Sequence, residues 1–144
     1  MPWAYVKECI DRADLHLLAR TESCTLRYHQ FSHGIRKEYA SMADYILAKI
    51  FRYETEEVDG KKKALAPLDM ETPQVHFVPN DFPYDFEDPI EHHVLWCTEP
   101  LSPDVIAAAI REHRPGYECL YFINFTHLQS IKEIHHAHIL SRRS

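Results

Sequence analysis

Residues 134–140, IHHAHIL, and residues 90–97, IEHHVLWC, decide how this chain folds. Both are short runs of β-branched, aliphatic and aromatic residues with histidines set among them, a composition that suits strands better than helices. Side chains alternate along a strand, so His136 and His138 leave one face of 134–140 while His135 and Ala137 leave the other. His92 and His93 must part in the same way, one to each face. His92 is the one expected beside His136 and His138.

Between these runs lies SPDVIAAAIREHRPG, residues 102–116, which reads as a helix from end to end. Ser102 caps it, Pro103 sits in the first turn, Asp104 complements the dipole, and Pro115-Gly116 stops it. Val105, Ile106, Ala109 and Ile110 form its apolar face. QVHFV, residues 74–78, alternates like a strand, and ECLYFINF, residues 118–125, is rich in strand formers. The second half therefore reads β-β-α-β-β.

Upstream the grammar changes. Residues 52–73 are polar, carry Asp59-Gly60 and two prolines, and read as a loop or hinge. Residues 3–20 place Val6, Ile10, Ala13 and Leu17 at helical spacing, and Thr21 or Ser23 is suited to cap the helix that follows. Residues 24–51 continue as helix, with Phe31, Ile35 and Tyr39 in one stripe and Met42, Ile46 and Ile50 in another behind Ser41. The expectation is a single α+β domain spanning 1–144: a helical cap over 1–51, a loop over 52–73, and a β-β-α-β-β core over 74–144. In this arrangement helices cover one face of an antiparallel sheet.

The bulk numbers narrow the function. A chain of 144 residues buries a core without staples. A net charge of −6 opposes nucleic-acid binding, and the clusters KKK at 61–63 and RR at 142–143 are too local to make a basic face. The four cysteines show no CxxC spacing and read as reduced, buried thiols, and no apolar run reaches membrane-span length. These features predict a protein of the cytoplasm, or of the nucleus as well, with no membrane partner. The eleven histidines are the composition signal to follow.

Two imidazoles on one strand face suit two kinds of chemistry. One can attack or bind a phosphorus centre while the other orients or protonates, or the two can chelate a metal with a third ligand such as His92. No metal or other cofactor is assigned, because neither a cysteine nor a carboxylate stands at a ligand offset. In NDFPY, residues 80–84, Pro83 forces Phe82 to be extended, so Asn80 and Asp81 sit on a turn at a strand end. NFTHLQS, residues 124–130, brings Asn124, Gln129 and Ser130 just ahead of the histidine strand; neutral donors beside imidazoles suit a phosphate better than a metal. Arg20 and Arg27 flank the helix break and can reach an anion in bidentate fashion.

LLARTES, YASMADYIL, NDFPY, IEHHVLW, FIN and QSIKEIHHAHIL, in this order, resemble the fungal family named for its N-acetylglucosamine-induced member. The resemblance runs from about residue 14 to 142, apart from the 52–73 loop. More distantly, NDFPY, the following strand, the helix, FIN and HAHILSR are similar to the layout of histidine-triad proteins and their nucleotidylyltransferase relatives. That resemblance implies a nucleoside-monophosphate ligand, with His136 as the middle histidine and nucleophile and His138 as the third. Asn124, Gln129 and Ser130 would stand at the phosphate. Ile134 occupies the place of the first triad histidine, and NFTHLQS holds no glycine. The expected function is binding of a phosphorylated small molecule, a nucleotide or sugar phosphate. If it is an enzyme, the reaction is phosphoester or phosphoanhydride cleavage or transfer by His136 as nucleophile or general base, supported by His138. The alternatives are a non-catalytic ligand-sensing or protein-interaction module and a His-ligated zinc site. The oligomeric state stays open, a homodimer included.

Overall fold

The computed structural model describes residues 1–66, 73–129, 131 and 134–143, with His127 described by its backbone alone. Three helices come first: α1 (Trp3–Asp11), α2 (Glu22–Glu38) and α3 (Met42–Lys49). A hairpin of β1 (Thr55–Val58) and β2 (Lys61–Ala64) follows. The remainder is β3 (Val75–Pro79), β4 (Glu91–Cys97), α4 (Pro103–His113), β5 (Tyr117–Phe122) and β6 (His135–Arg143). Apart from the hairpin, this is the α+β order read from the sequence.

The strands β3 to β6 form one antiparallel sheet in the order β3-β4-β6-β5. Register fixes what shares a face. Trp96 pairs with His136, Val94 with His138, His92 with Leu140, and Phe122 with His138 from the other flank. Directly opposed residues of an antiparallel pair project to the same side. His92, Val94, Trp96, His136, His138 and Phe122 therefore share one face, and His93, Leu95, Ala137 and Ile139 share the other.

Both faces are covered, where the sequence suggested one. The N-terminal helices pack on the histidine face, while α4 lies on the reverse, where Ile106 and Ala109 meet Leu95, Ala137 and Ile139. This explains why the central strands β4 and β6 are buried along almost their whole length. Leu95, Ile106 and Ile139 are fully buried, and each such side chain contributes about 1.5–3 kcal/mol of transfer free energy. The histidine face carries two separate clusters. One joins Met42, Ile46 and Phe51 to Val94 and Trp96, and the other joins Trp3, Val6, Cys9, Leu15 and Leu18 to Phe122 and Leu140.

Several expected elements change shape. The helix read over 3–20 ends at Asp11, because Ala13 takes a φ of 58° and Leu15–Leu17 make a single 3-10 turn. Leu17 is left exposed, and Leu15 and Leu18 enter the core instead. Residues 24–51 break at Tyr39, whose backbone bridges to Lys62, before Ser41 caps α3 by accepting from the Asp44 N–H. The 52–73 loop contains the hairpin, turned at Asp59 and Gly60 with φ of 52° and 79°, the signature of a two-residue turn. Its strands are charged on both faces, with Glu56 opposite Lys63 and Glu57 opposite Lys62, so they carry no hydrophobic alternation. The α4 cap is as read: Ser102 Oγ accepts from Val105 N–H at 3.2 Å. Among the described residues no helix is long and apolar enough to cross a membrane.

Candidate functional site

A cavity of about 310 Å³ opens between the helical cap and the histidine face, with walls drawn from both apolar clusters. The connection between α1 and α2 supplies Arg20, and the helices supply Tyr28, Phe31, Tyr45, Ile46 and Lys49. The β3–β4 connection adds Asn80, Asp81, Phe82 and Tyr84. The sheet floor is Val94, Trp96, His136 and His138, and Asn124 and Gln129 close the β5–β6 end. Lys49 and Asp81 are exposed residues of the rim, whereas Asn124, His136 and His138 are buried.

The hydrogen bonds fix how the imidazoles present themselves. Tyr84 N–H donates to His92 Nδ1 at 3.2 Å, so that nitrogen must carry a lone pair. Burial, followed by the nearby Arg20 and His93, pushes the His92 pKa down to about 3, so the ring is neutral and its proton sits on Nε2. His92 Nε2 lies 2.8 Å from His138 Nδ1, which therefore accepts and leaves the His138 proton on Nε2. Asn80 Nδ2 stands 3.4 Å from the same His92 nitrogen, but the Asn80 carbonyl oxygen is committed to Phe82 N–H at 2.9 Å, so the long contact does not alter the chain. His138 is held well below the usual imidazole range by burial and then by His92, His136 and Arg20, and it stacks on Phe122. It is a neutral N–H donor.

His136 is the opposite. Its Nδ1 donates to Ile134 O at 3.0 Å, which leaves Nε2 as a lone pair. Burial lowers its pKa, partly offset by that carbonyl bond. The ring packs on Trp96, with centroids 4.7 Å apart, and stands 5.7 Å from the His138 ring. One strand face thus offers one donor and one acceptor imidazole.

Arg20 brings the charge. Its Nε donates to Phe82 O at 2.6 Å, and its guanidinium lies over the rings of Tyr28 and Tyr84, 4.6 and 5.1 Å from their centroids. Among the described residues no carboxylate pairs with it, so its terminal N–H groups keep their donor capacity on the cavity wall. Asn124 donates through Nδ2 to Tyr84 Oη at 3.0 Å, and its buried Oδ1 has no partner among the described residues.

Of the residues picked out in the sequence, Arg20, Asn80, Asp81, Asn124, Gln129, His136 and His138 meet in this cavity. His92 stands behind His138 and positions it, outside the lining set. Arg27 is not brought in; it points along α2 and donates to Ser23 Oγ at 3.3 Å on the exposed side. Ser130 lies outside the described residues. The His92, His136 and His138 zinc set does not form, since both nitrogens of His92 are already bonded. Among the described residues no three His, Cys, Asp or Glu side chains group to hold a metal ion. Sequence reasoning misses Tyr45, Lys49, Tyr84 and Trp96 as wall residues. Trp96 is findable, since it alternates in phase with His92, but the helix residues carry no local sign of facing a cavity.

Comparison with known proteins follows the same outline. A family described as "Protein of unknown function (DUF3605)" matches residues 2–115, which run from α1 through α4. The chain belongs to the DUF3605 family. Its relatives extend the match over the histidine strand. The uncharacterized protein YPL067C of Saccharomyces cerevisiae is 30% identical, over 96% of this chain and 77% of its own length. The N-acetylglucosamine-induced protein 1 of Candida albicans is 22% identical, over 96% of this chain and 66% of its own length. The crystal structure of HTC1 superposes with a TM-score of 0.67 at 28% identity, covering 97% of this DUF3605 chain and 84% of that one. The similarity to the fungal N-acetylglucosamine-induced family read from the sequence is thereby borne out.

Proposed function

We propose that this DUF3605 chain binds a phosphorylated small molecule in the cavity between its helical cap and its sheet. The observation that carries the reading is Arg20, a guanidinium on the cavity wall, fixed against two tyrosine rings and with no carboxylate among the described residues to neutralise it. A phosphate placed there meets a bidentate cation and, from the sheet, the His138 Nε2–H. The His138 tautomer, set by His92 and Tyr84 N–H, makes that group a donor to an anion at neutral pH. His136 Nε2 is the lone pair available beside it, suited to attack on phosphorus or to accept a proton from an attacking hydroxyl.

The experiment is a thermal-shift and calorimetric titration of the full chain with inorganic phosphate and phosphate monoesters. A ligand at 100-fold over its Kd adds about 2.7 kcal/mol of stability, which a melting curve reads directly. Arg20→Met should abolish the shift while the unliganded protein still melts cooperatively. Absence of any shift with any phosphate compound contradicts the reading.

The second reading is a binding module without turnover. The bonded chain from His138 through His92 ends on the Tyr84 backbone N–H, not on a carboxylate, so nothing on it stabilises an imidazolium. Ile134 also stands where a third strand histidine would be. Phosphate-ester turnover that is lost in His136→Ala supports the catalytic form. Binding with no turnover supports the sensor.

A further inference from the structure

We infer that the molecule held here is a phosphorylated polyol, a sugar phosphate, in preference to a nucleotide or to phosphate alone. This rests on the phosphate reading above and extends it from the anion to the body of the ligand. The polar groups of the cavity wall that stay unmet once the anion is bound decide between these ligands.

The anion uses Arg20 and the His138 Nε2–H. What remains offers acceptors and donors side by side. His136 Nε2 carries a lone pair, because its Nδ1–H is spent on Ile134 O. Asn124 Oδ1 is buried and has no partner among the described residues, while its Nδ2 is spent on Tyr84 Oη. Gln129 Nε2 donates to Asn124 O at 2.8 Å, which leaves its amide oxygen as the remaining polar group. Asp81 adds a carboxylate at the rim. The donors on the same wall are Asn80 Nδ2, the Trp96 indole N–H, the hydroxyls of Tyr28 and Tyr45 and, at the exposed rim, Lys49.

Buried acceptors are satisfied by groups that bring hydrogens. A ring of hydroxyls brings one at most of its carbons, and each hydroxyl also turns to suit its partner. A nucleobase brings its donors and acceptors in a fixed planar pattern that cannot turn to suit a mixed wall. Trp96, beneath His136, offers an apolar face to the C–H side of a sugar ring. The volume, about 310 Å³, lies at the small end of ligand cavities, which run from roughly 300 to 1,000 Å³, and suits a monosaccharide ester better than anything longer.

Isothermal titration of the full chain with inorganic phosphate, glucose 6-phosphate, glucose 1-phosphate and AMP tests this. At least one sugar phosphate should bind about tenfold or more tightly than inorganic phosphate, and AMP should not exceed that sugar phosphate. Asp81→Asn, at an exposed rim position, should reduce the gain of the sugar phosphate over inorganic phosphate severalfold. Asn124→Leu should do the same more strongly. Phosphate binding with no gain from either sugar, or AMP as the tightest ligand, overturns the inference and leaves the anion reading standing. No binding of any phosphate compound overturns both.

Discussion

The two faces of the sheet hold nearly the same ingredients and assemble them differently. His92 and His93 are neighbours in β4, and each has an arginine nearby. On the α4 face, Arg114 donates to His93 Nε2 at 2.6 Å and pairs with Glu91 at 2.7 Å, while Phe77 stacks between His93 and His113. There the cation has its carboxylate and the apolar groups close over the sheet. On the cap face, Arg20 has aromatic rings and a backbone carbonyl but no carboxylate among the described residues, and a cavity stands where packing would otherwise be. Histidine beside arginine is thus not in itself a site. The same pair is a candidate for one where, among the described residues, no carboxylate compensates the charge next to open space.

Mutations can break this contrast, and core packing should show it most strongly. Leu95→Ala on the closed face should cost about 3 kcal/mol, because the transfer loss is joined by a new void. Val94→Ala, one residue along on the cavity side, should cost only about 1.5 kcal/mol, the transfer loss alone, since space already lies beside it. Denaturant midpoints of the two variants decide the matter, and equal losses would remove the distinction between the faces.

Acid comes next. His92, His136 and His138 all have lowered pKa values through burial, whereas unfolded histidine titrates near 6.5. A depressed imidazole binds its proton more weakly in the fold, so stability is full above the unfolded value and is lost as pH falls below it. For His92 the loss continues down to about 3. Between about pH 6.5 and 4.5 it should cost about 2 kcal/mol from that residue alone. His92→Gln should flatten the melting-temperature profile over this window, and an unchanged slope would contradict the neutral histidine chain.

The arginines separate stability from binding. Arg114→Met should lose about 1–2 kcal/mol, since Glu91 and His93 are left without their partner, and should leave phosphate binding untouched. Arg20→Met should cost less stability, yet weaken phosphate at least about tenfold, a change of about 1.4 kcal/mol in binding. The smallest effect is a gain. Gly34 lies inside α2 with open space where a Cβ would stand, so Gly34→Ala should add about 0.5 kcal/mol without altering affinity.

The floor of the site is legible in the sequence and its roof is not. The i, i+2 spacing places His136 and His138 on one face, and the alternation of β4 puts His92 with them, because strand periodicity is a local rule. The helix break beside Arg20 marks that residue out. Tyr45 and Lys49 stay hidden, because which turn of α3 meets a cavity depends on how helices pack over a sheet formed by residues much later in the chain. Arg27 looks equal to Arg20 in the sequence, and only the direction of α2 separates them. The hairpin at Asp59-Gly60 escapes a sequence reading despite its turn, since strands with charge on both faces carry no alternation. That α4 covers the second face also follows from tertiary packing and not from its caps, which the sequence does display.

Long-range proton–nitrogen NMR of the histidine rings, recorded while glucose 6-phosphate is added, bears directly on whether the imidazole pair forms the binding floor. Free His92 and His138 should carry their protons on Nε2, and His136 should carry its proton on Nδ1. On titration the His138 and His136 Nε2 signals should move, while His93, bonded to Arg114 on the far face, should stay in place. Movement of His93 with His136 and His138 unchanged, or rings protonated on the opposite nitrogens, would contradict it.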